Sequence, residues 1–281
     1  MRFNQRLALK YTRAKFKLLS TISKRKAAEK AFTLFCTPQY RNKKKLPLVF
    51  GKGEKLNFEF DKYKIQGYRW NGNSEKKILI LHGFESSIVN FDRYVKPLIN
   101  LGYCVMGFDA PAHGKSSGKM FNALLYRQFI NVINNKYGPV TNFLAHSLGG
   151  LAACLTLEEW KHDKTFKVVL IAPATETSTA VNNFFTYLKL NGEVRKEFDS
   201  IINQKSGHSS EWFSIVRAAK FIKAKVLWLH DKDDHMTPLS DAQTIIEKKY
   251  PNFEFYITEG LGHRRIYRDN KVGKKVIEFF N

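Results

Sequence analysis

The sequence has 281 residues, of which 43% are hydrophobic and 14% are aromatic. This length and apolar content suit one large globular domain and exclude an intrinsically disordered chain. The formal net charge is +22, and residues 1–50 contribute +13 of it, with fourteen basic residues against one acidic residue. This first segment, rather than the remainder of the chain, is therefore the part expected to contact an anionic partner.

The three cysteines, Cys36, Cys104 and Cys154, are too few and too scattered for a disulfide framework or a zinc site. We expect them to be small core residues with reduced thiols, which fits a reducing compartment and predicts a cytoplasmic protein. The sequence contains no cofactor motif and no cluster of metal ligands, so no cofactor is predicted.

Residues 1–47 are predicted to form a basic, helical N-terminal extension. Apolar residues recur at helical spacing between the lysines and arginines, at Leu7, Tyr11, Ala14, Leu18 and Ile22. No apolar stretch approaches the ~20 residues of a membrane span, and no secretory signal pattern is present. Three interpretations remain open, in falling order of preference: packing of the apolar stripe against the protein body, contact with an anionic membrane surface, or nucleic-acid binding.

From residue 48 onward, strand patterns alternate with helical ones. A β-hairpin is predicted first, over Leu56–Phe60 and Ile65–Trp70. Buried strands follow at Lys77–Leu81, Tyr103–Phe108, the run before Ser147, Val168–Ala172, Val226–His230 and Phe253–Thr258. Helices are predicted over Phe91–Leu101, Leu124–Lys136, Leu148–Glu159, Ser240–Lys249 and Val272–Phe280. The alternation predicts an α/β domain over residues 48–281 with a doubly wound, mostly parallel, eight-stranded sheet.

The alternation stops over residues 174–221, where aromatic and aliphatic residues suggest short helices without a strand. We expect this insertion to form a helical lid over the carboxyl ends of the strands.

Ser147 lies where a buried strand meets a helix, with the small residues Ala145, Gly149 and Gly150 around it. A serine at such a turn needs a strained backbone, and small neighbours relieve the crowding. The turn would lift the hydroxyl clear of the sheet, as in a nucleophile elbow. The alternative is a serine that caps the N-terminus of the following helix.

Four signatures together give the chain, from about residue 48 to its end, a resemblance to the α/β-hydrolase superfamily of serine esterases, lipases and thioesterases. They are the segment His82-Gly83-Phe84, the segment Asp109 to Ser116, the elbow Ala145 to Gly150, and Asp234 followed by His263. The order serine, aspartate, histidine is the chain order of this fold.

A serine hydroxyl needs a base within hydrogen-bond reach, and histidine is the side chain that titrates near neutrality. We predict His263 as the base, in preference to His113, His82 and His146, because it lies in a glycine-rich loop after the last strand.

Asp234 is predicted to orient the base. It matches the acid of the family's motif H-G-x-x-D-x-x-V-P, although Asp231 stands where glycine is usual and Asp233 is adjacent. Asp231 and Asp233 are expected to lie in a solvated acidic loop. The backbone N–H groups of Phe84 and Leu148 are the predicted oxyanion donors.

These residues predict a serine hydrolase that cleaves a carboxylic ester or thioester through an acyl-serine. The substrate would be a small-molecule or lipid ester, and the missing glycines after His82 argue against peptides. The alternative is a membrane-surface protein with secondary or no hydrolase activity, in which residues 1–45 contact an anionic membrane. Nucleic acid is the least favoured partner.

Overall fold

A computed structural model describes residues 3–42 and 45–281, so the basic residues Arg2, Lys43 and Lys44 lie outside the described residues. The chain divides into two compact units. The sheet unit comprises Pro38–Thr175 and Ser214–Asn281, and the helical unit comprises the chain up to Thr37 together with Glu176–Phe213. The domain boundaries drawn from the sequence, at 47/48 and around 174–221, stay predictions.

The sheet unit is built on one eight-stranded sheet. Its strands are β1 (Glu54–Phe60), β2 (Tyr63–Trp70), β3 (Lys77–Leu81), β4 (Cys104–Phe108), β5 (Asn142–His146), β6 (Lys167–Ile171), β7 (Lys225–Asp231) and β8 (Phe253–Thr258). The spatial order is β1-β2-β4-β3-β5-β6-β7-β8. Only the pairs β1–β2 and β2–β4 are antiparallel among those described, so the predicted mostly parallel eight-stranded sheet is confirmed.

The helices of the described chain are α1 (Phe3–Ile22), α2 (Lys24–Phe35), α3 (Asp92–Asn100), α4 (Ala123–Tyr137), α5 (Leu148–Leu157), α6 (Thr177–Leu188), α7 (Gly192–Ser206), α8 (Ile215–Ala218), α9 (Gln243–Lys248), α10 (Gly262–Arg265) and α11 (Asn270–Phe280). Five of them, α3, α4, α5, α9 and α11, correspond to the helix ranges predicted from the sequence. The helix predicted over Ser240–Lys249 is shorter, because its first turn is the 3₁₀ segment Leu239–Ala242.

The core of the sheet unit explains why its central strands have uninterrupted apolar sequences. In β3, β5 and β6 nearly every residue is buried, because helices cover both faces of the parallel sheet. Helix α5 is buried from Gly149 to Leu157. The three cysteines are buried, as predicted, and burial raises the pKa of the Cys104 and Cys154 thiols.

In the helical unit, the first two helices pack against the helices of the inserted segment. The Phe35 ring lies 5.2 Å from that of Phe184 and 5.8 Å from that of Phe198, measured between centroids. The Arg13 guanidinium of α1 donates to the carbonyl oxygen of Tyr187 in α6, at 2.6 and 3.0 Å. The basic N-terminal helices therefore belong to the same compact unit as α6 and α7. The expected position of the insertion over the strand ends stays a prediction.

Helix α1 does not pack through the apolar stripe read from its sequence. The stripe residues are exposed, namely Leu7, Tyr11, Ala14, Leu18 and Ile22. The opposite side of the helix is the packed one, and it buries Phe16 and Ser20. The first interpretation, in which an apolar stripe packs against the protein, is therefore wrong for α1, whereas α2 does bury Ala27, Ala28 and Ala31. No helix in the described part of the chain is both long and apolar enough to cross a membrane.

Candidate active site

Ser147 occupies the tight turn between β5 and α5. Its backbone has φ 54° and ψ −122°, a conformation that a residue with a Cβ rarely adopts and that stores strain. The Ser147 N–H donates to the carbonyl oxygen of Ile171 at 3.2 Å, which ties the turn to β6. Its hydroxyl makes no capping hydrogen bond to α5, so the alternative of a helix-capping serine is wrong.

Two glycines allow the backbone to pass close to this turn. A Cβ on Gly149 would lie 2.5 Å from the carbonyl oxygen of Leu81, so α5 can start this near β3 only with glycine there. A Cβ on Gly83 would lie 2.8 Å from the Cβ of Ser147 and 3.3 Å from its Oγ. The loop after β3 therefore runs directly beside the serine hydroxyl.

The structure brings Ser147, His263 and Asp234 together at the carboxyl ends of the strands. The Nε2 atom of His263 lies 3.1 Å from the Oγ of Ser147, and its Nδ1 lies 2.8 Å from the Oδ2 of Asp234. All three side chains are buried. The three residues lie up to 116 positions apart in the chain, so the fold alone creates this row of hydrogen bonds.

The Asp234 carboxylate is held in place by its own loop. Its Oδ1 accepts from the N–H groups of Met236 and Thr237, each at 2.9 Å, and its Oδ2 accepts from the Thr237 hydroxyl at 2.9 Å. Burial acts to raise the pKa of Asp234, but the hydrogen bond and charge of His263 and the bonds from Thr237 outweigh it, and the pKa is lowered. The carboxylate is thus kept ionised beside the imidazole.

Thr237 is a site residue that the sequence interpretation missed. Its hydroxyl lies 3.0 Å from Nδ1 of His263 as well as beside Asp234. The sequence did carry a signal, because threonine stands at the valine position of the motif H-G-x-x-D-x-x-V-P. The Thr237 carbonyl accepts from Nε2 of the buried His230 at 2.7 Å, which anchors the loop to β7.

Asp231 is buried, so the expectation that it lies in a solvated loop is wrong. Its carboxylate accepts from the N–H groups of Leu261 at 3.1 Å and Gly262 at 2.8 Å, the two residues directly before His263. It also accepts from the Thr258 hydroxyl at 2.6 Å. Burial acts to raise the pKa of Asp231, but these hydrogen bonds prevail and lower it. Asp231 therefore fixes the loop that presents the imidazole.

His146 supports His263 from the residue before the elbow. Its Nε2 lies 3.1 Å from the carbonyl oxygen of His263, so Nε2 carries the hydrogen and donates it. The two imidazole rings lie 4.8 Å apart between centroids. Burial, followed by the neighbouring His263, lowers the pKa of His146 well below its ordinary value, which keeps this ring neutral.

The other two histidines considered as bases hold loops. Nε2 of His82 accepts from the N–H of Ala110 at 3.0 Å, and Nε2 of His113 accepts from the N–H of Glu85 at 3.0 Å. Burial, followed by the charge of His82, lowers the pKa of His113 to about 3. His82 and His113 are thus engaged in fixing the segments around Phe84.

The two predicted oxyanion donors flank the serine. Leu148 is the first residue of α5, where backbone N–H groups lack an intrahelical acceptor. Phe84 directly follows Gly83, the residue that adjoins Ser147. The assignment of their N–H groups as oxyanion donors stays a prediction.

Known proteins resemble this chain in sequence and in structure. A family model described as serine aminopeptidase, S33 (Hydrolase_4), matches residues 72–210. An uncharacterised protein of Bacillus subtilis, YqkD, is 24% identical over 231 residues, which cover 78% of this chain and 76% of that protein.

Among solved structures, the Pyrococcus furiosus esterase Pf2001 aligns with a TM-score of 0.64 and 21% identity, over 86% of this chain and 95% of that one. A bacterial membrane phospholipase A aligns with a TM-score of 0.59 and 16% identity, over 82% of this chain and 86% of that one. The structural alignments and the order of the eight strands show that the chain has an α/β-hydrolase fold.

Proposed function

We propose that this protein is a serine hydrolase that cleaves a carboxylic ester or thioester through an acyl-serine intermediate. The observation that carries the proposal is the pair of hydrogen bonds linking Ser147 to His263 and His263 to Asp234, at 3.1 and 2.8 Å. A nucleophile, a base and a group that orients the base are the minimum that acyl transfer at an alcohol requires.

In the acylation step, Oγ of Ser147 attacks the carbonyl carbon of the substrate while Nε2 of His263 takes the hydroxyl proton. The carbonyl oxygen becomes an oxyanion that accepts hydrogen bonds from the N–H groups of Phe84 and Leu148. One such donor lowers the barrier by about 3 kcal/mol. When the tetrahedral intermediate collapses, the leaving alkoxide or thiolate receives the proton held by His263.

In the deacylation step, a water molecule takes the place of the leaving group. His263 accepts a proton from the water as its oxygen attacks the acyl carbon, and then returns that proton to Oγ of Ser147. Asp234 remains ionised throughout, keeps the Nδ1 hydrogen of His263 pointed at itself and stabilises the imidazolium. Thr237 and Asp231 act through these two residues and are positioning residues.

The proposal is tested by labelling and hydrolysis. Purified protein is expected to react with a fluorophosphonate probe and to hydrolyse p-nitrophenyl esters, and both signals should disappear in Ser147→Ala. A panel of acyl chain lengths, as oxygen esters and thioesters, would define the substrate class. Equal labelling of the original chain and Ser147→Ala would overturn the proposal, and so would a complete absence of labelling, which the membrane-binding alternative without hydrolase activity predicts.

Peptide cleavage is a second candidate function, because the matching family model is described as a serine aminopeptidase. The same three side chains could attack an amide, whose leaving amine depends more strongly on protonation by His263. Aminoacyl p-nitroanilides separate the two functions: turnover of anilides at rates similar to those of esters would favour the peptidase, whereas turnover of esters alone would favour the esterase.

A further inference from the structure

Helix α1 presents an apolar stripe to solvent. The large side chains of the stripe are 60–71% exposed, and they are Leu7, Tyr11, Leu18 and Ile22. At 100° per residue these four positions fall within an arc of about 60°, and at 1.5 Å per residue they extend over ~22 Å. Single exposed apolar residues are common on protein surfaces, but an aligned row of four on one helix is a candidate interaction surface.

The stripe is not a consequence of a loosely attached helix. On the opposite side of α1, Phe16 is 4% exposed and Ser20 is buried. Arg13 donates two hydrogen bonds to the carbonyl oxygen of Tyr187, which fixes α1 to α6 within the helical unit. The helix is therefore already folded and presents the stripe without help from a ligand.

The charge around the stripe indicates what covers it. Helix α1 has five basic residues and no acidic residue. Lys10, Lys15 and Lys17 are exposed, and long cationic side chains beside an apolar row can reach anionic headgroups while their stems lie on the apolar surface. A second copy of the chain is disfavoured, because two stripes facing each other would bring two helices of the same positive charge together.

We propose that α1 binds the surface of an anionic lipid bilayer, with its apolar stripe in the headgroup region and its lysines among the anionic headgroups. A helix with a basic polar face and a row of large apolar residues lies in the plane of a membrane interface, with binding that combines apolar burial and attraction to anionic lipids. Because α1 and α6 share one unit, the bilayer would hold the inserted segment as well. This proposal does not depend on the proposed hydrolase activity.

The test is co-sedimentation of the full chain with vesicles of phosphatidylglycerol and, separately, of phosphatidylcholine. We expect binding to the anionic vesicles at low salt and little binding to the neutral vesicles. At 0.5 M salt, binding to the anionic vesicles should be at least tenfold weaker, on the order expected for Lys contacts at a charged surface. The double variant Leu18→Gln with Ile22→Gln keeps the charge and the helical propensity, and it should bind anionic vesicles at least tenfold more weakly.

Leu48→Gln is the matched control, because Leu48 is a 94% exposed leucine outside α1. Its replacement should leave the affinity for anionic vesicles within twofold of that of the original chain. Circular dichroism checks that each variant is folded. If the first double variant loses helix, Leu7→Gln with Tyr11→Gln applies the same criterion about three turns earlier in α1. Ser147→Ala should bind vesicles like the original chain, so that loss of binding and loss of hydrolysis can be told apart.

Three results would overturn the proposal. The first is absence of binding to anionic vesicles, and the second is equal binding by the stripe variants and the original chain. The third is a dimer that forms without lipid and disappears in the stripe variants, since that would make a second copy of the chain the occupant of the stripe.

Discussion

In the sheet unit, the ionisable side chains around Ser147 are buried and hydrogen-bonded, whereas the basic side chains of α1 in the helical unit lie mostly in solvent around an exposed apolar stripe. Asp231 illustrates the first environment, with its carboxylate surrounded by N–H and O–H donors. Lys15 and Lys17 illustrate the second. A buried charge is tolerated only where hydrogen bonds replace water, while an exposed charge costs almost nothing.

This difference shows what each kind of charge can do. Fixed, buried groups can hold an imidazole in one orientation, and substitutions among them should therefore act on chemistry and folding. The exposed lysines of α1 are available to a surface that approaches from outside. Substitutions in α1 should accordingly leave hydrolysis of soluble esters intact.

The largest effect is expected for Asp234→Asn. The amide cannot stabilise the imidazolium and favours the wrong tautomer of His263, so kcat for a soluble ester should fall about 10⁴-fold. Asp233→Asn is the matched control, because Asp233 is exposed and accepts only the N–H of Gly260 among the described contacts, and it should change kcat less than threefold. Similar losses in the two variants, measured by steady-state kinetics, would contradict the assigned role of Asp234.

The next effect concerns stability within α1. Phe16→Ala removes a ring that is 4% exposed and should lower the free energy of unfolding of the helical unit by about 3 kcal/mol. Leu18→Ala, on the exposed side of the same helix, should stay within about 0.5 kcal/mol of the original chain. Urea unfolding followed by circular dichroism measures both. Equal losses would mean that α1 packs through both faces and that the stripe is not a free surface.

Asp231→Asn should reduce kcat roughly 10²-fold with little change in KM. The amide can no longer accept all the donors that the carboxylate accepts, so the loop before His263 should shift and misplace the imidazole. The pH profile of kcat/KM should change shape as well, which a purely structural role would not produce. Activity and pH profile both equal to those of the original chain would show that the loop keeps its position without this carboxylate.

The smallest effect is a loss of stability in acid. The pKa of His113 is about 3 in the folded protein and ordinarily 6.5, so its neutral form is stabilised by folding. This contribution is complete above pH 6.5, falls as the pH drops toward 3, and amounts to a loss of about 2 kcal/mol at pH 5. Urea midpoints at pH 7.5 and pH 5 measure it. His113→Asn should show a smaller drop, and an identical drop would assign the acid sensitivity to other groups.

Most of the fold could be predicted because local pattern and topology agree. The uninterrupted apolar runs of β3, β5 and β6 had to be strands buried on both faces, and β3 has the same bounds in sequence and structure. The turn at Ser147 was readable from its small neighbours. The direction in which α1 packs was not readable, because the helix has apolar residues on two sides and sequence spacing does not say which side finds a partner.

Local sequence patterns set the order of strands and helices, the strained serine turn and the position of the positive charge, because each depends on residues near one another in the chain. The folded chain was needed to show that Asp231 is buried beneath the His263 loop, that Thr237 and His146 support the imidazole, and that the stripe of α1 faces solvent. Those facts depend on contacts between distant segments, and the free energy of such contacts is set by the geometry of packing, which local pattern does not contain.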